Sequence, residues 1–148
     1  MDALQTLTRR ADVTPARGMR VLILDFDLYN NVGGGQSVYQ RLIALRPRDT
    51  FYYFLRREPE GASRPGNTVA IPLVPLPPYQ PKDLPRRSTH FFNVYRDCCD
   101  IASSVRRHLG RIDFDTIDVP DYSQLGLFIR PTLEAEGIRV GSVALALH

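Results

Sequence analysis

Apolar positions along the chain alternate between short unbroken runs and stripes at helical spacing. Val21-Leu22-Ile23-Leu24 is such a run, closing in Asp25-Phe26-Asp27. Unbroken apolarity over so few residues predicts a strand buried on both faces, as in a parallel sheet. A glycine-rich turn follows, Asn30-Asn31-Val32-Gly33-Gly34-Gly35. A helical pattern opens at Gln36 or Ser37, with Val38, Leu42 and Leu45 on one face, and Pro47 stops it. Residues 50–55 read as a second strand. Strand, glycine turn, helix and strand make a βαβ unit.

Val69-Ala70-Ile71 predicts a short third strand. A proline tract follows it, with Pro72, Pro75, Pro77, Pro78, Pro81 and Pro85. Such a tract excludes helix and central strand, and predicts an extended, stiff connection of polyproline character within the domain. Ser88 or Thr89 then caps a long helix ending at Gly110. Its apolar stripe is Phe91, Tyr95, Cys98, Ala102, Val105 and Leu109. Residues 115–119 form another strand, Pro120-Asp121-Tyr122 a turn, and Ser123 a helix cap. Leu125, Phe128, Ile129 and Leu133 give that helix its buried face. Pro131 should kink or divide it, and Gly137 ends it. A last apolar strand runs from Val140 to Leu147. The pattern as a whole is α/β: a Rossmann-like, mostly parallel sheet with helices on both faces.

Composition narrows this little. The chain has 148 residues, 43% of them hydrophobic. That is one domain, large enough to fold without a disulfide or metal staple. No run approaches the ~18 apolar residues of a membrane span, and residues 1–18 read as a polar, disordered arm without a secretory leader. The net charge of +3 is almost all arginine, Lys82 being the only lysine. There is no basic run interleaved with aromatic residues, so no nucleic-acid partner is expected. Cys98 and Cys99 are adjacent, a poor arrangement for a disulfide or zinc. They read as core filler in a reducing, cytoplasmic setting. His90 and His108 have no evident partner.

Chemistry concentrates at the strand ends. The glycine cluster lies between the first strand and the first helix, where backbone N–H groups and the helix N-terminus suit an anion or a sugar. It is neither the dinucleotide fingerprint, which needs glycine at Val38, nor a P-loop. Asp25-Phe26-Asp27 is open to several readings. It is like the aspartyl-phosphate motif of dehalogenase-like phosphatases, with Asp25 as nucleophile, Asp27 as acid/base and magnesium required, although Tyr29 stands where that motif has threonine or valine. It is like the metal-binding motif of GT-A glycosyltransferases, although it lies on the first strand. Or it is two strand-end carboxylates that face solvent or cap backbone. Asp121 and Tyr122 sit at another strand's carboxyl end, where they touch a sugar hydroxyl or serve turn chemistry. A binding module using the proline tract or an arginine face near Arg86, Arg87, Arg106 and Arg107 is a further reading.

Three segments together resemble the N-terminal domain of family-4 glycosyltransferases of the GT-B fold. The first runs from Met19-Arg20-Val21-Leu22-Ile23-Leu24 into Val32-Gly33-Gly34-Gly35-Gln36-Ser37. The second is Thr116-Ile117-Asp118-Val119-Pro120-Asp121-Tyr122-Ser123. The third is Val143-Ala144-Leu145-Ala146-Leu147-His148. The resemblance spans residues 19–148, with the proline tract as an insertion. It implies an acceptor-side domain facing a second, donor-binding domain that this chain lacks, so the chain alone is expected to be an inactive fragment. It implies sugar transfer from a nucleotide-diphosphate sugar, as co-substrate, to a hydroxyl of a sugar or lipid-linked acceptor. No metal and no other cofactor are implied. Gly33, Gly34, Gly35 and Gln36 would lie near the donor diphosphate, Asp121 and Tyr122 near the acceptor, and His148 near the reacting groups as the catalytic residue. Peripheral contact with an anionic membrane at its inner face is also implied.

Overall fold

The computed structural model describes residues 17–30, 33–56, 63–77 and 86–146. Five strands, β1 (Arg20–Phe26), β2 (Thr50–Leu55), β3 (Thr68–Pro72), β4 (Asp113–Pro120) and β5 (Arg139–Ala146), form one sheet in the order β3-β2-β1-β4-β5. Every pairing is parallel. The helices are α1 (Gly34–Leu45), α2 (Arg86–Leu109) and α3 (Ile129–Ala135), with a 3₁₀ turn over Gln124–Leu127. The fold is therefore a Rossmann-like α/β sheet with helices on both faces.

The unbroken apolarity of β1 and β2 has the expected cause. Val21, Ile23, Phe51 and Tyr53 pack on one face against Tyr39 and Ile43 of α1. The alternate residues Leu22, Leu24, Tyr52 and Phe54 pack on the other face against Val94, Cys98, Ile101, Ala102 and Val105 of α2 and Ile129 and Leu133 of α3. On the α1 side the rings of Tyr29 and Tyr53 meet edge to face at 5.7 Å. Their buried hydroxyls have no hydrogen-bond partner among the described residues.

Several details differ from the sequence pattern. Helix α1 opens at Gly34, not at Gln36 or Ser37, with Gly33 as its N-cap. Its buried face is Tyr39 and Ile43, whereas Val38 and Leu45 are exposed. The stripe rotates by one position because Tyr39 reaches Asp118 of β4 with its hydroxyl while its ring fills the core. Helix α2 begins at Arg86, so Ser88 and Thr89 lie within it and do not cap it. Phe91 and Tyr95 are about half exposed, and Val94 takes the buried place between them. The second half of the stripe, Cys98, Ala102 and Val105, is buried as its spacing requires.

Pro131 divides its helix, and the break falls at Phe128. A continuous helix would aim the Leu127 carbonyl at the proline ring, which has no N–H to offer it. The chain instead closes a 3₁₀ turn, with Phe128 N donating to Leu125 O, and restarts so that Pro131 lies in the first turn of α3. Gly137 ends α3 at φ 76°, where Gly137 N donates to Glu134 O and Ile138 N to Leu133 O. That is a Schellman cap, and its companion apolar pair is the buried Leu133 and Ile138.

The described start of the proline tract, residues 73–77, is strapped along α2. Val74 N donates to Ser104 Oγ at 2.9 Å and Leu76 N to Asp100 Oδ1 at 2.9 Å, while Arg96 donates to the carbonyls of Leu76 and Pro77. Residues 78–85 lie outside the described residues, as do residues 1–16 of the expected arm. Strand β5 is less buried than its apolar sequence suggests: Val143 and Leu145 are exposed at the sheet's edge. Gly141 fits closely against β4, since a β-carbon there would meet Asp115 O at 2.5 Å. Phe114 and Ile117 share one core although three residues apart.

Candidate functional site

Strand order reverses around β1. The chain crosses from β1 outward to β2 and β3, then returns to place β4 and β5 on the other side. At such a switch point the connections leave in opposite directions and open a crevice at the carboxyl ends of the strands. A crevice of about 450 Å³ lies there, and its lining includes Asp25, Asp27, Gln36, Arg56, His90, Asp97, Tyr122 and Gln124.

Asp25 is part of that lining. It is 4% exposed and ends the apolar run of β1. Its Oδ1 accepts from the Phe26 backbone N–H at 2.7 Å and from Gln36 Nε2 at 3.4 Å, and its Oδ2 accepts from the Tyr122 hydroxyl at 3.4 Å. Gln36 is in position because it is the third residue of α1. There its side chain folds back over Gly33, in space that a β-carbon would fill. Tyr122 arrives from the turn after β4, and burial, then the Asp25 carboxylate, raises its hydroxyl above the ordinary range. It therefore stays a protonated donor.

Asp27 has a different task. It takes φ 52°, a left-handed conformation that aspartate tolerates better than most residues. Its N–H donates to Phe54 O, and its carboxylate accepts from Arg56 N at 2.9 Å, tying the end of β1 to the end of β2. Both carboxylates of the Asp-Phe-Asp motif accept from backbone N–H groups and both line the crevice, Asp27 tied to Arg56 and Asp25 to Gln36 and Tyr122. The Arg56 guanidinium lies 3.9 Å above the Phe26 ring. Asp97, on α2, is raised by burial and by Asp100, with Arg56 and Arg96 acting the other way. His90 does have a partner: its Nε2 lies 2.6 Å from Gln124 Oε1.

The sequence-predicted site is thus brought together in part. Gln36 and Tyr122 line the crevice. Gly33, Gly34 and Gly35 are the cap and first turn of α1 rather than an open loop, and lie beside the crevice rather than in its lining. Asp121 is an exposed turn residue, its N–H donating to Ala146 O at 3.0 Å. His148 lies outside the described residues. Sequence reasoning missed Arg56, His90, Asp97 and Gln124. Arg56 carried a signal, being the first residue after a predicted strand. The other three come from helical or turn segments, and nothing in their spacing marked them. No group of three or more His, Cys, Asp or Glu side chains that could hold a metal ion occurs among the described residues.

Away from the crevice, Cys98 is buried, and its Sγ donates to Leu125 O at 3.3 Å. Burial, followed by the Asp97 carboxylate, pushes its thiol up to about 12. It is core filler, as its place in the stripe implies. Arg106 and Arg107 lie in the last turn of α2, where they complement the helix dipole. Arg86 is at the other end of this 24-residue helix, about 30 Å away by helical rise. No helix among the described residues is long and apolar enough to cross a membrane. No family model, curated protein or solved structure matches the chain.

Proposed function

We propose that this chain is the acceptor-side domain of a nucleotide-sugar-dependent glycosyltransferase of the GT-B type, passing a sugar from a nucleotide diphosphate to an acceptor hydroxyl. The observation that carries the reading is the switch-point crevice. There a glycine-led helix supplies Gln36, the turn after β4 supplies Tyr122, and both converge on Asp25. Paired acceptors and donors around one buried carboxylate suit a polyhydroxyl ligand, each hydroxyl of which both gives and takes a hydrogen bond. The N-terminus of α1 carries no acidic residue in its first turn, which leaves its positive end available to a donor diphosphate at the rim.

In this reading a second domain grips the nucleotide and closes the cleft, which orients the reacting groups and supplies the remaining charge stabilisation. In the same reading His148 is the catalytic residue. Strand β5 runs parallel to β4, so its carboxyl end falls on the same edge as the N-terminus of α1, next to the Tyr122 turn. A cytoplasmic setting and contact with an anionic membrane surface belong to the same proposal.

The test is sugar transfer by the full-length protein carrying that donor domain, offered UDP-, GDP- and ADP-linked sugars. Labelled sugar appearing in an acceptor supports the reading. Absence of transfer with every donor counts against it. Magnesium-dependent hydrolysis of a phosphoester, abolished by Asp25→Asn, would put the phosphatase reading in its place.

A further inference from the structure

We infer that the switch-point crevice selects a neutral or amino-bearing sugar and turns phosphorylated sugars away. The inference takes the sugar from the function proposed above. The charge preference comes from the crevice alone. Among the described residues two carboxylates line it besides the backbone-capping Asp27, namely Asp25 and Asp97, against one guanidinium, Arg56. A carboxylate accepts hydrogen from a hydroxyl or an ammonium but has none to give to a phosphate, and like charges brought together in a partly desolvated site repel strongly.

Arg56 does not reverse the balance. Its guanidinium is stacked on Phe26 at 3.9 Å, and its charge already acts on Asp97. It stabilises the wall of the crevice rather than offering an open fork to a ligand.

The state of Asp25 points the same way. Only its bond from the Phe26 N–H is short, at 2.7 Å. The two from Gln36 and Tyr122 are both 3.4 Å, well beyond the usual optimum. A ligand hydroxyl or ammonium placed between these side chains exchanges two long bonds for shorter ones with the same carboxylate. A phosphate there meets the carboxylate head-on. On this view a donor diphosphate stays at the glycine turn of α1 and never enters the crevice, so donor and acceptor are sorted by charge.

The experiment is an NMR titration of the ¹⁵N-labelled chain with methyl glucoside, glucosamine and glucose 6-phosphate at one ionic strength. Methyl glucoside and glucosamine should shift the amides of Phe26, Gln36, Arg56 and Tyr122. Glucose 6-phosphate should bind about tenfold more weakly or worse. Asp25→Asn should weaken glucosamine about tenfold and narrow its lead over glucose 6-phosphate, since a charge-assisted bond is replaced by a neutral one. Tyr122 is 66% exposed, so Tyr122→Phe keeps the fold and should weaken methyl glucoside by about threefold through loss of one hydrogen bond. Glucose 6-phosphate binding as tightly as the others overturns the inference, and so does a lack of shifts at those amides with all three sugars. Sugar binding in the expected order without transfer by the full-length protein would instead strike at the glycosyltransferase reading and leave the charge preference standing.

Discussion

At the scale of single residues, burial decides which polar groups are chemical and which are structural. Cys98 and Tyr29 are buried acids with nothing to gain from ionising. The Cys98 thiol rises from an ordinary value of 9.0 to about 12, through burial and then the neighbouring Asp97. The Tyr29 hydroxyl rises from 10.0 to about 12, through burial and then Tyr53. Both are raised in the folded state, so the unfolded chain loses these protons first as pH climbs. Their contribution to stability is complete below pH 9 and drains away between about pH 9 and 12. For the fully buried thiol the slope approaches about 1.4 kcal/mol per pH unit. Urea denaturation at pH 8, 9, 10 and 11 should show the midpoint falling steadily above pH 9; a level midpoint would mean that these groups ionise as freely in the fold as outside it. Sequence spacing gave Cys98 its core role, because a helical stripe is a local pattern. It could not give Asp25 and Asp27 their different roles. Those depend on a backbone turn at Asp27 and on the approach of Arg56 and Tyr122, which arrive from distant parts of the chain.

At the scale of elements, two glycines make opposite predictions. A β-carbon on Gly141 would press on main-chain atoms of Asp115 in the adjacent strand, which cannot step aside without disturbing the ladder. Gly141→Ala should cost about 1–3 kcal/mol, read as a lower urea midpoint. Gly34, in the first turn of α1, has open space where its β-carbon would be. Gly34→Ala should leave stability unchanged or raise it by up to about 1 kcal/mol, as helix propensity dictates. If the proposed donor site is right, the same change should weaken nucleotide-sugar binding to the full-length protein. Unaltered binding would remove the glycine turn from that site.

The elements themselves were largely legible. The strands and the long helices follow from apolar runs, helical stripes and the prolines that bound them. What escaped was fine register. Val38 and Tyr39 are both apolar enough to face inward, and the local pattern does not show the distant Asp118 carboxylate that accepts from the Tyr39 hydroxyl. The division before α3 was foreseen from Pro131, but the place of the break depends on the carbonyl four residues earlier. The strap of the proline tract along α2 rests on the side chains of Ser104, Asp100 and Arg96, and nothing in the tract's own composition names them.

At the scale of the whole molecule, β1 is the seam. It pairs with β2 on one side and β4 on the other, and Arg20 N donates to Asp115 Oδ2 across 95 residues of chain. A sheet completed by so distant a pairing has to pay loop-closure entropy before it gains the contact. Refolding from urea, followed by tyrosine fluorescence, should proceed on the millisecond-to-second scale typical of non-local topologies. Microsecond refolding would show that the two halves of the sheet assemble without waiting for each other.

The seam also sets when the molecule becomes able to recognise anything. Asp25, Gln36 and Arg56 are made early in synthesis; His90, Asp97 and Tyr122 are made late, and Asp25 meets Tyr122 across 97 residues. A nascent chain ending before β4 would lack Tyr122 and Gln124, and with them one wall of the crevice. Ligand capture and completion of the fold are then one event, and a small molecule that fits the crevice would act as a clamp on both halves of the protein.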